Sequence, residues 1–323
     1  SEFVSLTRLR DDAGAYPAIE ALKPLAAEVR SIVGAGVQIS YAADWTEYAG
    51  FTAPEGNRYF HLDAFWADEH VDFVGIDNYM PLADWREGDR HADAAAGSVH
   101  DLGYLRGNIA GGEGFDWFYP DPRAEAAQRR EPIVDGAHGE DWVWRLKDLR
   151  GWWENAHHDR IDGVRAAQAT PWVPRSKPIW FTELGCPAVD KGANQPNLFF
   201  DAKSSESALP RHSTGRRDDL MQAQFLRAHL AHWADPAANP VSPLYGGPMV
   251  DPARIHVWAW DSRPFPAFPQ LTDVWSDGAN WARGHWLNGR ITRSDLGAFI
   301  EELCNDEGVG TDVSGVEGSF HGL

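Results

Sequence analysis

The apolar and polar positions of this chain change period several times, and each change predicts an element. Over residues 16–33, Ile19, Leu22, Leu25, Ala26 and Val29 recur at helical spacing, which predicts an amphipathic helix ended by Gly34 and Gly36. Residues 37–43 then read as a strand, with Asp44, Trp45, Thr46 and Glu47 at its carboxyl end. A short helix is expected at 62–66 and a second strand at 71–79, closing on Asp77, Asn78 and Tyr79. Ile179, Trp180 and Phe181 form a compact β-preferring run, as in a strand covered on both faces. Glu183 follows at its end, and Gly185 and Pro187 break it. Residues 141–169 and 218–233 are expected to be helical, and 254–260 a last strand ending at Asp261. A terminal helix is expected at 294–304, after a Pro- and Trp-rich segment at 264–289 and before a Gly-rich tail.

Two long connections interrupt this alternation. Residues 86–138 lack clear periodicity, and connections of that length tend to be functional. Phe115, Trp117, Phe118 and Tyr119 predict that this one is ordered and faces a ligand. Residues 187–214 form the second.

Strands alternating with helices define an α/β fold with a parallel sheet. Four strands are legible, whereas a (β/α)₈ barrel has eight. The expectation is a TIM (β/α)₈-barrel-like domain that carries mainly the second half of the barrel, with long βα loops. The domain is expected over 1–290, with a C-terminal helix and flexible linker over 291–323. The abrupt opening at Ser1 suggests a piece of something longer.

Charge and composition narrow the chemistry. A net charge of −19 opposes nucleic acid, which needs clustered Lys and Arg, and equally opposes an anionic membrane surface. No apolar run is long enough to insert into a membrane. The two cysteines, Cys186 and Cys304, give no disulfide framework. None of the 13 histidines has metal-ligand spacing, and Gly111-Gly112-Glu113-Gly114 lacks the preceding strand and following Lys of a phosphate loop. No metal or cofactor is therefore expected. The 16 tryptophans have two readings, core packing or platforms on which sugar rings stack.

Every expected strand ends in polar, mostly acidic groups: Asp44 and Glu47, Asp77 and Asn78, Glu183, Asp261. Such residues often cap a following helix. Several together also predict one pocket at the carboxyl ends of the strands, where barrel enzymes place their chemistry. Glycoside hydrolysis requires two carboxyl groups across the scissile bond. Glu183 is one candidate, and its partner is sought among Glu2, Glu47, Asp77 and Glu113. An esterase or deacetylase would require a Ser-His pair or a metal, and neither has a convincing spacing.

Three segments carry a resemblance: 41–48 (YAADWTEY), 74–86 (VGIDNYMPLADWR) and 180–187 (WFTELGCP). They resemble the TIM-barrel-like domain of gene transfer agents, found in a tail-tip protein of phage-like particles and described as a glycoside hydrolase/phage tail family. Residues 284–290 (GHWLNGR) resemble the same domain near its end. The resemblance to retaining barrel glycosidases implies that Glu183 is the nucleophile at the end of the seventh strand. It also makes Glu2 the acid/base remnant of the fourth-strand motif, and places Trp258 or Trp260 as the floor of the sugar site. Asp44, Trp45, Glu47, Asp77, Asn78 and Tyr79 would bind or position the sugar. The implied partners are a cell-envelope glycan, either peptidoglycan or surface polysaccharide, and other tail or baseplate proteins. The implied setting is assembly in the cytoplasm into a phage-like particle that acts at the recipient cell envelope. The rival expectation is an inactive carbohydrate-binding or structural baseplate module, because a fold does not guarantee an activity.

Overall fold

A parallel four-stranded sheet, with strands Ala42–Asp44, Val74–Asn78, Ile179–Leu184 and Val250–Val257 side by side in that order, organises the chain. The computed structural model describes residues 3–199 and 207–258. The chain opens with a single helical turn, α1 (Val4–Thr7), and then α2 (Pro17–Val33). Proline at the first turn of α2 loses no helical hydrogen bond, and Gly34 ends the helix at φ 75°. β1 (Ala42–Asp44) is shorter than the 37–43 strand expected. The residues before it run beside 72–73 through other bonds: Asp72 N–H to Ile39 O at 2.8 Å, and Ser40 Oγ to Phe73 O at 2.5 Å.

Next come β2 (Phe51–Thr52), β3 (Arg58–Tyr59), α3 (Asp63–Trp66) and β4 (Val74–Asn78). The long connection after β4 is ordered, as its aromatics suggested. It holds α4 (Leu102–Gly107), β5 (Trp117–Phe118), α5 (Pro122–Ala126) and β6 (Glu131–Pro132). α4 and α5 start at Asp101 and Asp121, whose carboxylates accept backbone N–H groups of the first turn.

The expected 141–169 helix is not formed. Helix α6 covers only Leu149–Glu154, capped by Asp148, and is followed by the hairpin β7 (Arg160–Ile161) and β8 (Val164–Arg165). The cause is the pair Asp162-Gly163, with φ of 49° and 75°, a left-handed two-residue turn that suits a hairpin and cannot continue a helix. β7 and β8 extend β2 and β3 into a small antiparallel sheet that periodicity did not reveal. β9 (Ile179–Leu184), α7 (Asp219–Ala234) and β10 (Val250–Val257) complete the described chain. β10 begins four residues before the strand expected at 254.

One face of the central sheet is the core. Val74, Ile76, Ile179, Phe181 and Leu184 are 0% exposed, and Phe181 packs edge-on to Trp233 of α7 at 5.7 Å. Trp66, Trp152, Trp153, Trp172 and Trp233 are also buried, and the Trp152, His157 and Trp172 rings pack on one another. These tryptophans therefore serve packing. Among the described residues the sheet does not close on itself.

Candidate functional site

Strand register sets the geometry of the site. Across β1, β4 and β9, Asp44 pairs with Asp77, and Asp77 pairs with Glu183. Residues level in neighbouring parallel strands project to the same side. The three carboxylates therefore form a row across three strand ends, on the face opposite the packed residues Val74, Ile76 and Phe181.

An irregularity in β9 creates this row. Ile76 pairs with Phe181, but the next residue of β4, Asp77, pairs with Glu183, so Thr182 is an extra residue in the ladder. Were Thr182 itself paired with Asp77, simple alternation would put Glu183 opposite Asn78, on the packed face of Val74 and Ile76. Such bulges re-aim side chains and recur next to active sites. Thr182 donates its hydroxyl to Asp77 Oδ1 at 2.7 Å. Tyr79, two residues after Asp77, donates its hydroxyl to Glu183 Oε2 at 2.6 Å.

Asp77 is only 8% exposed. Burial, its largest influence, raises its carboxyl, Thr182 opposes, and Glu183 adds to the rise, leaving the group pushed up to about 6. Burial also drives the Tyr79 phenol well above its usual value, and the adjacent Glu183 reinforces this. The phenol therefore remains a donor at every physiological pH.

Two glycines let the backbone close around this row. A Cβ on Gly75 would lie 2.6 Å from Tyr41 O, and one on Gly185 would lie 2.4 Å from Trp258 O. Trp258 N–H donates to Leu184 O at 2.9 Å, so the end of β10 runs beside the end of β9. Trp258 is 47% exposed there. On the acid face, Trp180 stacks on Phe73 at 3.7 Å, with the Arg254 guanidinium 4.7 Å from its ring centre.

The other expected site residues are placed differently. Asp44 accepts the Thr46 N–H and hydroxyl at 2.8 and 2.6 Å, so it also shapes its own turn. Trp45 is partly buried against the core. Asn78 is 1% exposed and lies level with Leu184 on the packed face, where its Oδ1 accepts Met80 N–H at 3.1 Å. Glu47 is fully buried. Burial pushes its carboxyl up, but Thr7, Tyr41 and the nearby His61 outweigh that and hold it below the usual range. Glu113 pairs with Arg211 and lines a separate cleft of about 120 Å³, beside Asp84, Trp117 and Arg130. Glu2, Trp260 and Asp261 lie outside the described residues.

Sequence reasoning missed Thr182, because strict alternation from Phe181 sends Thr182 and Glu183 to opposite faces. It also missed Lys147. This amine is buried, donates to Pro81 O at 2.6 Å, and burial pushes it down to about 7. Cys186 is buried as well, which pushes its thiol up and away from the reactive thiolate. Among the described residues no group of three or more His, Cys, Asp or Glu is placed to hold a metal.

A parallel sheet with acids gathered at the carboxyl ends of its strands defines the chain as an α/β protein of TIM-barrel-like type. More particularly, residues 1–269 match the profile of the GTA TIM-barrel-like domain, and the chain belongs to that gene transfer agent family. Comparison with curated proteins gives no match. No helix among the described residues is long and apolar enough to cross a membrane.

Proposed function

We propose that the strand-end row is a glycan site of glycoside hydrolase type, within a tail-tip or baseplate protein of a phage-like particle. The observation that supports this best is the alignment of Asp44, Asp77 and Glu183 on one sheet face, with Tyr79 bonded to Glu183. Glycosidic bonds require one carboxyl group to carry a proton and another to meet the developing positive charge at the anomeric carbon. Glu183, oriented by Tyr79, suits the second task. The hydrogen bond from the phenol limits the rotation of this carboxylate. The exposed Trp258 ring at the end of the neighbouring strand offers a surface for a sugar's C–H face. The resemblance to retaining glycosidases assigns the acid to Glu2. The substrate class is a cell-envelope glycan, peptidoglycan or surface polysaccharide, and the neighbours in the particle are other tail or baseplate proteins. The setting is a particle assembled in the cytoplasm and acting at the recipient envelope.

A binding or structural module is the second reading. It is favoured by the commitments of Asp44 to its turn and of Glu47 to a buried cluster, which leave few acids for catalysis. Release of soluble fragments from dye-labelled peptidoglycan distinguishes the two. Wild type releases dye and Glu183→Gln does not if the hydrolase reading holds. Retention on the glycan without release, unchanged by Glu183→Gln, supports the binding module.

A further inference from the structure

Lys147 sits where an apolar side chain would be more stable. It is 2% exposed, and among the described residues its Nζ donates to one acceptor, Pro81 O, at 2.6 Å. Lysines are seldom buried so completely unless paired. Among the described residues no carboxylate closes an ion pair on this amine, and Glu113 and Asp116 act on it without one. A residue that stability alone does not select is expected where a site needs a particular piece of backbone held.

The backbone that Lys147 holds leaves β4 beside the site. Pro81 lies two residues after Tyr79, whose hydroxyl donates to Glu183 Oε2 at 2.6 Å. The link between Pro81 and Tyr79 is stiff. The proline ring fixes its own φ and restricts the residue before it, Met80, to extended backbone. Met80 N–H is also tied back to Asn78 Oδ1 at 3.1 Å. Beyond Pro81, Leu82 and Ala83 N–H donate to Ala193 O at 3.0 and 3.2 Å, and Asn108 Nδ2 donates to Leu82 O at 2.9 Å. Pro81 has no N–H, so its carbonyl is the one backbone group by which a hydrogen bond can fasten it. Lys147 is itself fixed. Its N–H donates to Gly114 O at 3.2 Å, and the carbonyl of Leu146 accepts the Tyr48 hydroxyl at 2.7 Å. A Cβ on Gly114 would lie 3.4 Å from Lys147 Cδ, so the lysine stem runs directly over that glycine.

We propose that Lys147 is a positioning residue of the strand-end site: by fastening Pro81 it sets the place of Tyr79 and, through the Tyr79 hydroxyl, the direction of the Glu183 carboxyl. Its effect on turnover rests on the glycosidase reading, whereas its effect on the Tyr79–Glu183 contact does not. The buried amine meets no substrate and acts only through Tyr79.

The first arm of the test is a double-mutant cycle on the full chain, read as release of soluble fragments from dye-labelled peptidoglycan and surface polysaccharide. Lys147→Met keeps an unbranched stem and loses the donor. It is expected to lower release by about 10-fold or more, because small misplacements remote from the chemistry act on this scale. In a Tyr79→Phe background the same substitution is expected to lower release by less than about 2-fold, since the contact it acts through is already gone. An equal loss in both backgrounds, or none in either, overturns the proposal. Lys147→Leu makes the same comparison if Lys147→Met does not fold. A chain that folds with neither residue assigns Lys147 to the core and also overturns it. The second arm is the crystal structure of the folded variant. The Tyr79 Oη to Glu183 Oε2 distance is expected to lengthen beyond about 3.5 Å, the reach of a hydrogen bond. A contact that stays at 2.6 Å overturns the proposal. No release by wild type overturns the glycosidase reading, and the crystal structure alone then decides the role of Lys147.

Discussion

Glu183 stands level with Asp77 because Thr182 is surplus to the ladder between β4 and β9. The relationship is testable by removing the extra residue. Deleting Thr182 leaves Glu183 directly after Phe181, so simple alternation still sets it level with Asp77, while Asp77 loses the hydroxyl it accepts. Both the deletion and Thr182→Val are therefore expected to keep a cooperative urea transition, each weakened by about 1–3 kcal/mol for the lost donor. A deletion variant without a cooperative transition would contradict this, because the bulge would then be needed for the fold itself.

Tyr79→Phe separates function from stability. The phenol donates to Glu183 at 2.6 Å, and phenylalanine preserves the ring. Because Glu183 is partly exposed, water replaces the lost donor and unfolding free energy is expected to change by less than about 1.5 kcal/mol. Glycan turnover is expected to fall by roughly 10- to 100-fold, because a loosened carboxylate meets the anomeric carbon less often. Equal losses in both measurements would assign Tyr79 to packing alone.

Lys147 predicts a pH dependence of stability. Its amine is pushed from 10.5 to about 7 by burial, with Glu113 and Asp116 opposing the shift. Between those values the unfolded chain binds a proton that the folded chain does not. Stability therefore rises with pH across that window, and below about 7 the folded chain bears the full cost of the buried charge. Lys147→Met is expected to be more stable than wild type at pH 6, with the advantage shrinking by pH 9. Thermal melts of the two proteins across this range check it. A constant difference would mean that Lys147 does not titrate in the window.

Gly185 permits the close approach of β9 and β10. A Cβ there would lie 2.4 Å from the Trp258 carbonyl oxygen, which belongs to the backbone and has little room to yield. Gly185→Ala is expected to cost about 1–3 kcal/mol. Gly36, with no neighbour within 4 Å of a built Cβ, is the control. Gly36→Ala is expected to leave the urea midpoint within about 0.5 kcal/mol of wild type.

The long, strongly patterned elements were legible because one physical rule governed each. Helical spacing from Ile19 placed α2, and the apolar runs ending at Asn78 and Leu184 placed β4 and β9. The 141–169 region misled because its apolar residues pack as scattered rings around His157 rather than as a helix stripe. The turn signal Asp162-Gly163 was nevertheless present. The acids at strand ends were visible as residues, but their sorting was not. Glu47 turned inward to Thr7 and Tyr41, Asn78 fell on the packed face, and Glu183 joined Asp77 only through a bulge. Each of these depends on register between segments distant in sequence, which periodicity within one strand does not contain.

The most direct measurement of the central claim is release of soluble fragments from dye-labelled peptidoglycan and purified surface polysaccharide by wild type and Glu183→Gln, matched for folding by their thermal melts. The account predicts release by wild type on one of the two glycans and loss of at least about 100-fold in Glu183→Gln. Equal release by the two proteins would contradict it, because the strand-end carboxylate row would then take no part in the chemistry.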